Sequence, residues 1–74
     1  MTLEIRPFDT VRIPAGIPER SVPAGCLATI LDVYTAPIPG YEIEVVDTSG
    51  RTLFVGGVEA SQVELVESHG IEDG

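Results

Sequence analysis

Hydrophobic and polar positions alternate most cleanly over residues 41–47, YEIEVVD. Tyr41, Ile43 and Val45 fall on one side of an extended chain, and Glu42 and Glu44 on the other. That period of two predicts a strand with one buried face. FDTVRI, residues 8–13, repeats the pattern, with Val11 and Ile13 on one side and Thr10 and Arg12 on the other. CLATILDVY, residues 26–34, is apolar on both sides until Asp32 interrupts it. A strand buried on both faces, or bent sharply around a small core, reads this way.

RTLFV, residues 51–55, predicts the return strand of a hairpin with 41–47. Thr48-Ser49-Gly50 supplies the turn, with Gly50 in the left-handed position. Gly56 and Gly57 are expected to end that strand. EASQVELV at 59–66 predicts a 3-10 turn at Ala60–Gln62 and a last short strand at Val63–Val66. Between the first two strands, Pro14, Gly16, Pro18 and Pro23 exclude regular structure through residue 25, so a surface loop is expected. Gly25 offers the positive φ needed to enter the next strand. TAPIPG, residues 35–40, is a proline-stiffened connection.

These segments add up to an all-β chain of five short strands, with turn signals recurring about every eight to twelve residues. A closed or nearly closed barrel is expected, because closure removes unpaired strand edges. The predicted domain is residues 8–66, preceded by an extension over 1–7 and followed by a flexible acidic tail over 67–74. Its expected core is Val11, Ile13, Leu27, Ile30, Leu31, Val33, Ile43, Val45, Phe54, Val63 and Leu65.

Size and charge narrow the function. A chain of 74 residues buries only ~60% of its unfolded surface, so a deep catalytic cleft is not expected. Twelve acids face four arginines and no lysine, giving a net charge of −8. Such a chain repels nucleic acid and anionic lipid, since both are bound chiefly through Lys and Arg. A basic partner protein is the better electrostatic match, and solubility alone is the plainer explanation. No apolar run approaches the ~20 residues of a membrane span. The chain opens without a charged-then-apolar leader, which points to the cytoplasm. The single cysteine, Cys26, has no internal disulfide partner.

Catalytic groups do not assemble in the sequence. His69 lies beyond the last predicted strand, where nothing would hold a base in geometry. Cys26 reads as a buried, inert thiol. Glu67, His69, Glu72 and Asp73 lack a scaffold that would make them metal ligands. Glu42 and Glu44 read as a solvated strand face, and no phosphate-cradling glycine motif occurs. The expectation is no enzyme, no metal and no cofactor. What remains is a binding surface: Arg20 on the proline-rich loop, Tyr34 and Tyr41 flanking the 35–40 connection, and the acidic pair Glu42 and Glu44. Tyr and Arg are enriched among interface hot spots, although the two tyrosines would equally serve to cap a barrel end.

The series FDTVRI … VPAGCLATILDVY … GYEIEVVDTSGRT … ASQVELV resembles the SH3-like, KOW-like strand pattern. More narrowly it resembles the small bacterial family of domains of unknown function numbered 4926. There a D-x-V-x-L opening precedes a V-E-F-x-D-x-x-G-x-T hairpin. The likeness spans about residues 8–66 and is most specific over Glu42–Thr52. It departs at Ala28, where the pattern carries a second glycine, and at Val45, where it carries an aromatic. The resemblance implies an SH3-like barrel without established activity, and an accessory or antitoxin-like protein that binds a toxin-like neighbour. Two rivals follow from the same fold: a KOW-like barrel on nucleic acid or the ribosome, and an accessory subunit of a metalloenzyme. Open strand edges would also permit a homo-oligomer.

Overall fold

The computed structural model describes residues 5–67. Five antiparallel strands form a single sheet: β1 (Thr10–Ile13), β2 (Cys26–Tyr34), β3 (Gly40–Val46), β4 (Thr52–Glu59) and β5 (Glu64–Glu67). Their spatial order is β4-β3-β2-β1-β5. Among the described residues β4 and β5 do not pair, so the sheet is not the closed form of the closed or nearly closed barrel expected. A 3-10 turn at Ala60–Gln62 precedes β5, as its sequence predicts.

The core lies on one face. Val11, Ile13, Ile30, Ile43 and Val45 are fully buried, joined by Ala28 and Val58. Val33, Phe54, Val63 and Tyr41 pack against them, half-buried. Leu65 is half-buried as well. Leu27 and Leu31 are corrections: they are 50% and 40% exposed. Register explains both. Ala28 pairs with Val45 and Ile30 with Ile43, so these four point inward and Leu27 is turned outward. Strict alternation beyond Ile30 would bury Asp32. Instead Asp32 pairs with Glu42, leaving Leu31 as an extra, bulged residue on β2. The bulge reverses the phase, so Asp32 meets water and Val33 turns toward the core.

Two further expectations change. The loop over residues 14–25 is not merely a surface connection. Ile17 and Val22 bridge through paired backbone bonds, Ile17 N–H to Val22 O at 2.9 Å and Val22 N–H to Ile17 O at 3.1 Å. A 3-10 turn at Pro18–Arg20 links them. Both side chains are buried in the core cluster, so this loop covers the open side of the sheet. Gly16, at φ 68°, lets it fold back; a side chain there would strike the backbone of Val22–Ala24.

Gly56 and Gly57, expected to end a strand, lie inside β4. Gly56 pairs with Ile43 and Gly57 with Glu42 in an unbroken register from Phe54 to Glu59. The Phe54 ring covers the inward side of Gly56, where an added Cβ would stand 2.7 Å from its Cζ. At the other end of the chain's first strand, Phe8 belongs to a turn with φ 74° rather than to β1.

Asp9, immediately before β1, is fully buried. Its Oδ2 accepts a 2.8 Å bond from the Arg6 N–H, and its carbonyl accepts from Ile30 N–H at 2.9 Å. The aspartate thereby ties the entering turn to the centre of β2.

Candidate functional site

The outward face of β2, β3 and β4 carries two unlike patches. At one end Leu27, Val46, Leu53 and Val55 are 38–51% exposed. They arise from register: Val55 sits opposite Glu44, and Leu53 is the extra residue where Val45 pairs with Phe54 but Val46 with Thr52. A shallow groove of about 530 Å³ runs along this end, lined by Leu27, Thr29, Val46 and Leu53 together with the acids Glu44 and Asp47. Exposed apolar area of this kind, bordered by polar groups, marks interaction surfaces.

The other end is acidic. Asp32 stands opposite Glu42, and Glu44 lies two residues along β3. The Tyr34 hydroxyl donates to Glu42 Oε1 at 3.1 Å, and the Thr52 hydroxyl donates to Glu44 Oε2 at 3.2 Å. Neither glutamate has an arginine within ion-pair distance among the described residues. The outward arginine of β1, Arg12, is spent on Glu64 across β5 at 3.0 Å. Tyr34 keeps its proton above the usual phenol range. Its hydrogen bond to Glu42 is the main cause, followed by partial burial and by the charges of Glu42 and Asp32.

The five residues singled out as partner-binding do not form one patch. Tyr34, Glu42 and Glu44 share the outward side. Tyr41, opposite Val33 and Val58, packs against the core. Arg20 lies over the Phe54 ring, 5.7 Å from its centroid, a cation–π contact on the row that faces inward. Leu27, Val46, Leu53 and Val55 were not singled out. The available signal for Leu27 and Val46 was parity: each is adjacent to a core residue of its own strand, Ala28 and Val45, and so falls on the opposite face.

Cys26 is half-buried against the core. No group of three or more His, Cys, Asp or Glu among the described residues could hold a metal ion, and no described helix is long and apolar enough to cross a membrane. His69, with the possible ligands Glu72 and Asp73 and most of the acidic tail, lies outside the described residues.

A family model for a domain of unknown function, DUF4926, matches residues 8–65. The chain belongs to that family. No curated protein and no solved structure matches it significantly. Within the matched span, the hairpin residues hold one another. In the hairpin, Asp47 Oδ1 accepts from the Ser49 hydroxyl at 2.7 Å and from the Ser49 and Arg51 amides at 2.9 Å. Gly50 takes φ 88°, and Thr52 bonds Glu44. The Ser49 hydroxyl first, then the Arg51 amide, hold the Asp47 carboxyl below its ordinary range. Asp9, itself buried, caps the exposed turn that precedes β1. These contacts serve the fold.

Proposed function

We propose that this DUF4926 protein is a non-enzymatic interaction module, accessory or antitoxin-like, that works in the cytoplasm by binding a basic partner protein through the outward face of β2–β4. One observation carries the reading: exposed Leu27, Val46, Leu53 and Val55 adjoin Glu42, Glu44 and Asp32, whose charges no described arginine neutralises. Apolar contact supplies area and the acids steer a cationic partner, raising its on-rate and setting orientation. The net charge of −8 favours a protein over the phosphate backbone of the KOW-like alternative.

Co-expression with the neighbouring gene product tests it. A complex should copurify, weaken as salt is raised, and be lost in the double variant Glu42→Lys, Glu44→Lys. Purification of the chain alone, or a complex indifferent to that double variant, would overturn the reading.

A further inference from the structure

The two edges of the sheet are built differently. β5 is short, and both its ends carry acids: Glu64, bridged to Arg12, and Glu67. Short, charged edges resist pairing with another chain. β4 has none of these protections. From Thr52 to Val58 it contains no charge and no proline, and beyond the bulge at Leu53 its register is unbroken over Phe54–Glu59. Among the described residues only β3 pairs with it, so one side of its backbone offers unused donors and acceptors.

Gly57 adds a specific feature to this edge. Its outward side is open, with no atom nearer than 3.9 Å to an added Cβ. Its cross-strand partner is Glu42. Tyr34 and Ile38 border the same spot, lining a shallow cleft of about 350 Å³ with Gly57 and Glu59. A strand added to β4 would lie about 10 Å from β3, two strand spacings. A long cationic side chain on it, standing opposite Gly57, would cross the missing side chain and meet the Glu42 carboxylate beside the Tyr34 ring. Any other residue at 57 would close that passage.

We propose that β4 receives an extended segment of the basic partner as a sixth strand, with a Lys or Arg of that segment reaching through the Gly57 gap to Glu42. This rests on the partner reading above and specifies its mode: backbone bonds give affinity and one charge fixes register. Charge complementarity selects a basic segment over a second copy of this acidic chain.

The test uses the full chain, isotope-labelled for NMR, and three blocked hexapeptides: alternating valine and arginine, alternating valine and glutamate, and the arginine peptide with alternate amides N-methylated. The arginine peptide should shift the amides of 54–59 and the signals of Tyr34 and Glu42, and slow amide exchange along β4. The glutamate and N-methylated peptides should not. Gly57→Val, whose Cβ meets nothing nearer than 3.9 Å, should not lower the melting temperature and should weaken binding about fivefold, as should Glu42→Gln. Val55→Lys, on an exposed position of the edge, gives a second stable variant and should weaken it too.

Unshifted β4 amides, equal binding by the N-methylated peptide, or indifference to Gly57→Val would overturn strand addition. So would a concentration-dependent dimer that Val55→Lys dissolves, because the edge would then belong to a second copy. If the peptide instead shifts Leu27, Val46 and Leu53, or if the copurified complex depends on Glu42 and Glu44 but not on Gly57 and Val55, the partner reading stands and only the mode fails.

Discussion

Ile43 and Glu42 are adjacent in sequence, yet one is fully buried and the other stands in an uncompensated acidic patch on the opposite face. The inner face of the sheet is a packed set of branched aliphatic residues, closed by a loop that contributes Ile17 and Val22. The outer face repeats the same backbone with Leu27, Val46, Leu53 and Val55 left exposed. Both faces hold apolar side chains, so hydrophobicity alone does not say which is the core. The difference is cover: the inner residues have a lid and the outer ones have none. The inner face accounts for folding. The outer face, apolar at one end and acidic at the other, is what the fold displays.

The sharpest way to break this contrast is to substitute one apolar side chain on each face. Ile43→Ala should cost about 2–5 kcal/mol through lost burial and an unfilled cavity. Val55→Thr, opposite Glu44 on the outer side, should stay within about 0.5 kcal/mol. Urea denaturation of both variants reads the difference directly, and comparable losses would erase the distinction between faces. Asp9 comes next. Asp9→Ala strips the Arg6 amide of its buried acceptor and should cost about 1–3 kcal/mol. Asp9→Asn keeps an acceptor oxygen and should cost less. Equal losses would mean that shape, rather than the hydrogen bond to the turn, fixes this residue.

The neighbouring glycines of β4 sharpen the comparison with opposite signs. Gly56→Ala forces its methyl against the Phe54 ring, displaces the aromatic from beneath Arg20, and should destabilise by about 1 kcal/mol. Gly57→Ala points into open space and should stabilise by about 0.5–1 kcal/mol, because glycine is a poor strand residue. Thermal melts of the pair would show whether β4 separates inside from outside as the register states.

These glycines also show where the sequence is legible. The hairpin over 41–55, the buried parity of Val11, Ile13, Ile43 and Val45, and the 3-10 turn at 60–62 all follow from local periodicity and turn chemistry, and the structure has each of them. What the chain hides depends on partners distant in sequence. Gly56–Gly57 reads as a break because glycine has little intrinsic strand preference, but pairing with Ile43 and Glu42 carries β4 through. Leu27 and Leu31 read as core because they are large and apolar, but alternation with buried Ala28 and Ile30 turns Leu27 outward and the bulge leaves Leu31 exposed. Ile17 and Val22 lie among prolines, and only the loop's return over the sheet buries them. Within the candidate site, Tyr34 and Glu42 are brought together by the β2–β3 register. Arg20 is drawn to the other side by Phe54, a contact no local pattern announces.

The smallest expected effect probes the acidic end alone. Tyr34 donates its hydroxyl to Glu42, so its proton is held more tightly in the folded chain than in the unfolded one. Its contribution to stability is therefore complete below the ordinary phenol value of 10.0 and is lost as pH rises through the raised folded value. Absorbance titration of Tyr41→Phe, which leaves Tyr34 as the sole tyrosine, should show ionisation above that ordinary value. Adding Glu42→Gln should bring it down, because the amide is a weaker acceptor for the hydroxyl than the carboxylate and carries no charge to oppose the phenolate. A Tyr34 midpoint unmoved by Glu42→Gln would disconnect the two residues. If they are connected, the same absorbance becomes a reporter of the outer face: a cation seated on Glu42 would lower the Tyr34 midpoint, while binding confined to the apolar groove would leave it unchanged.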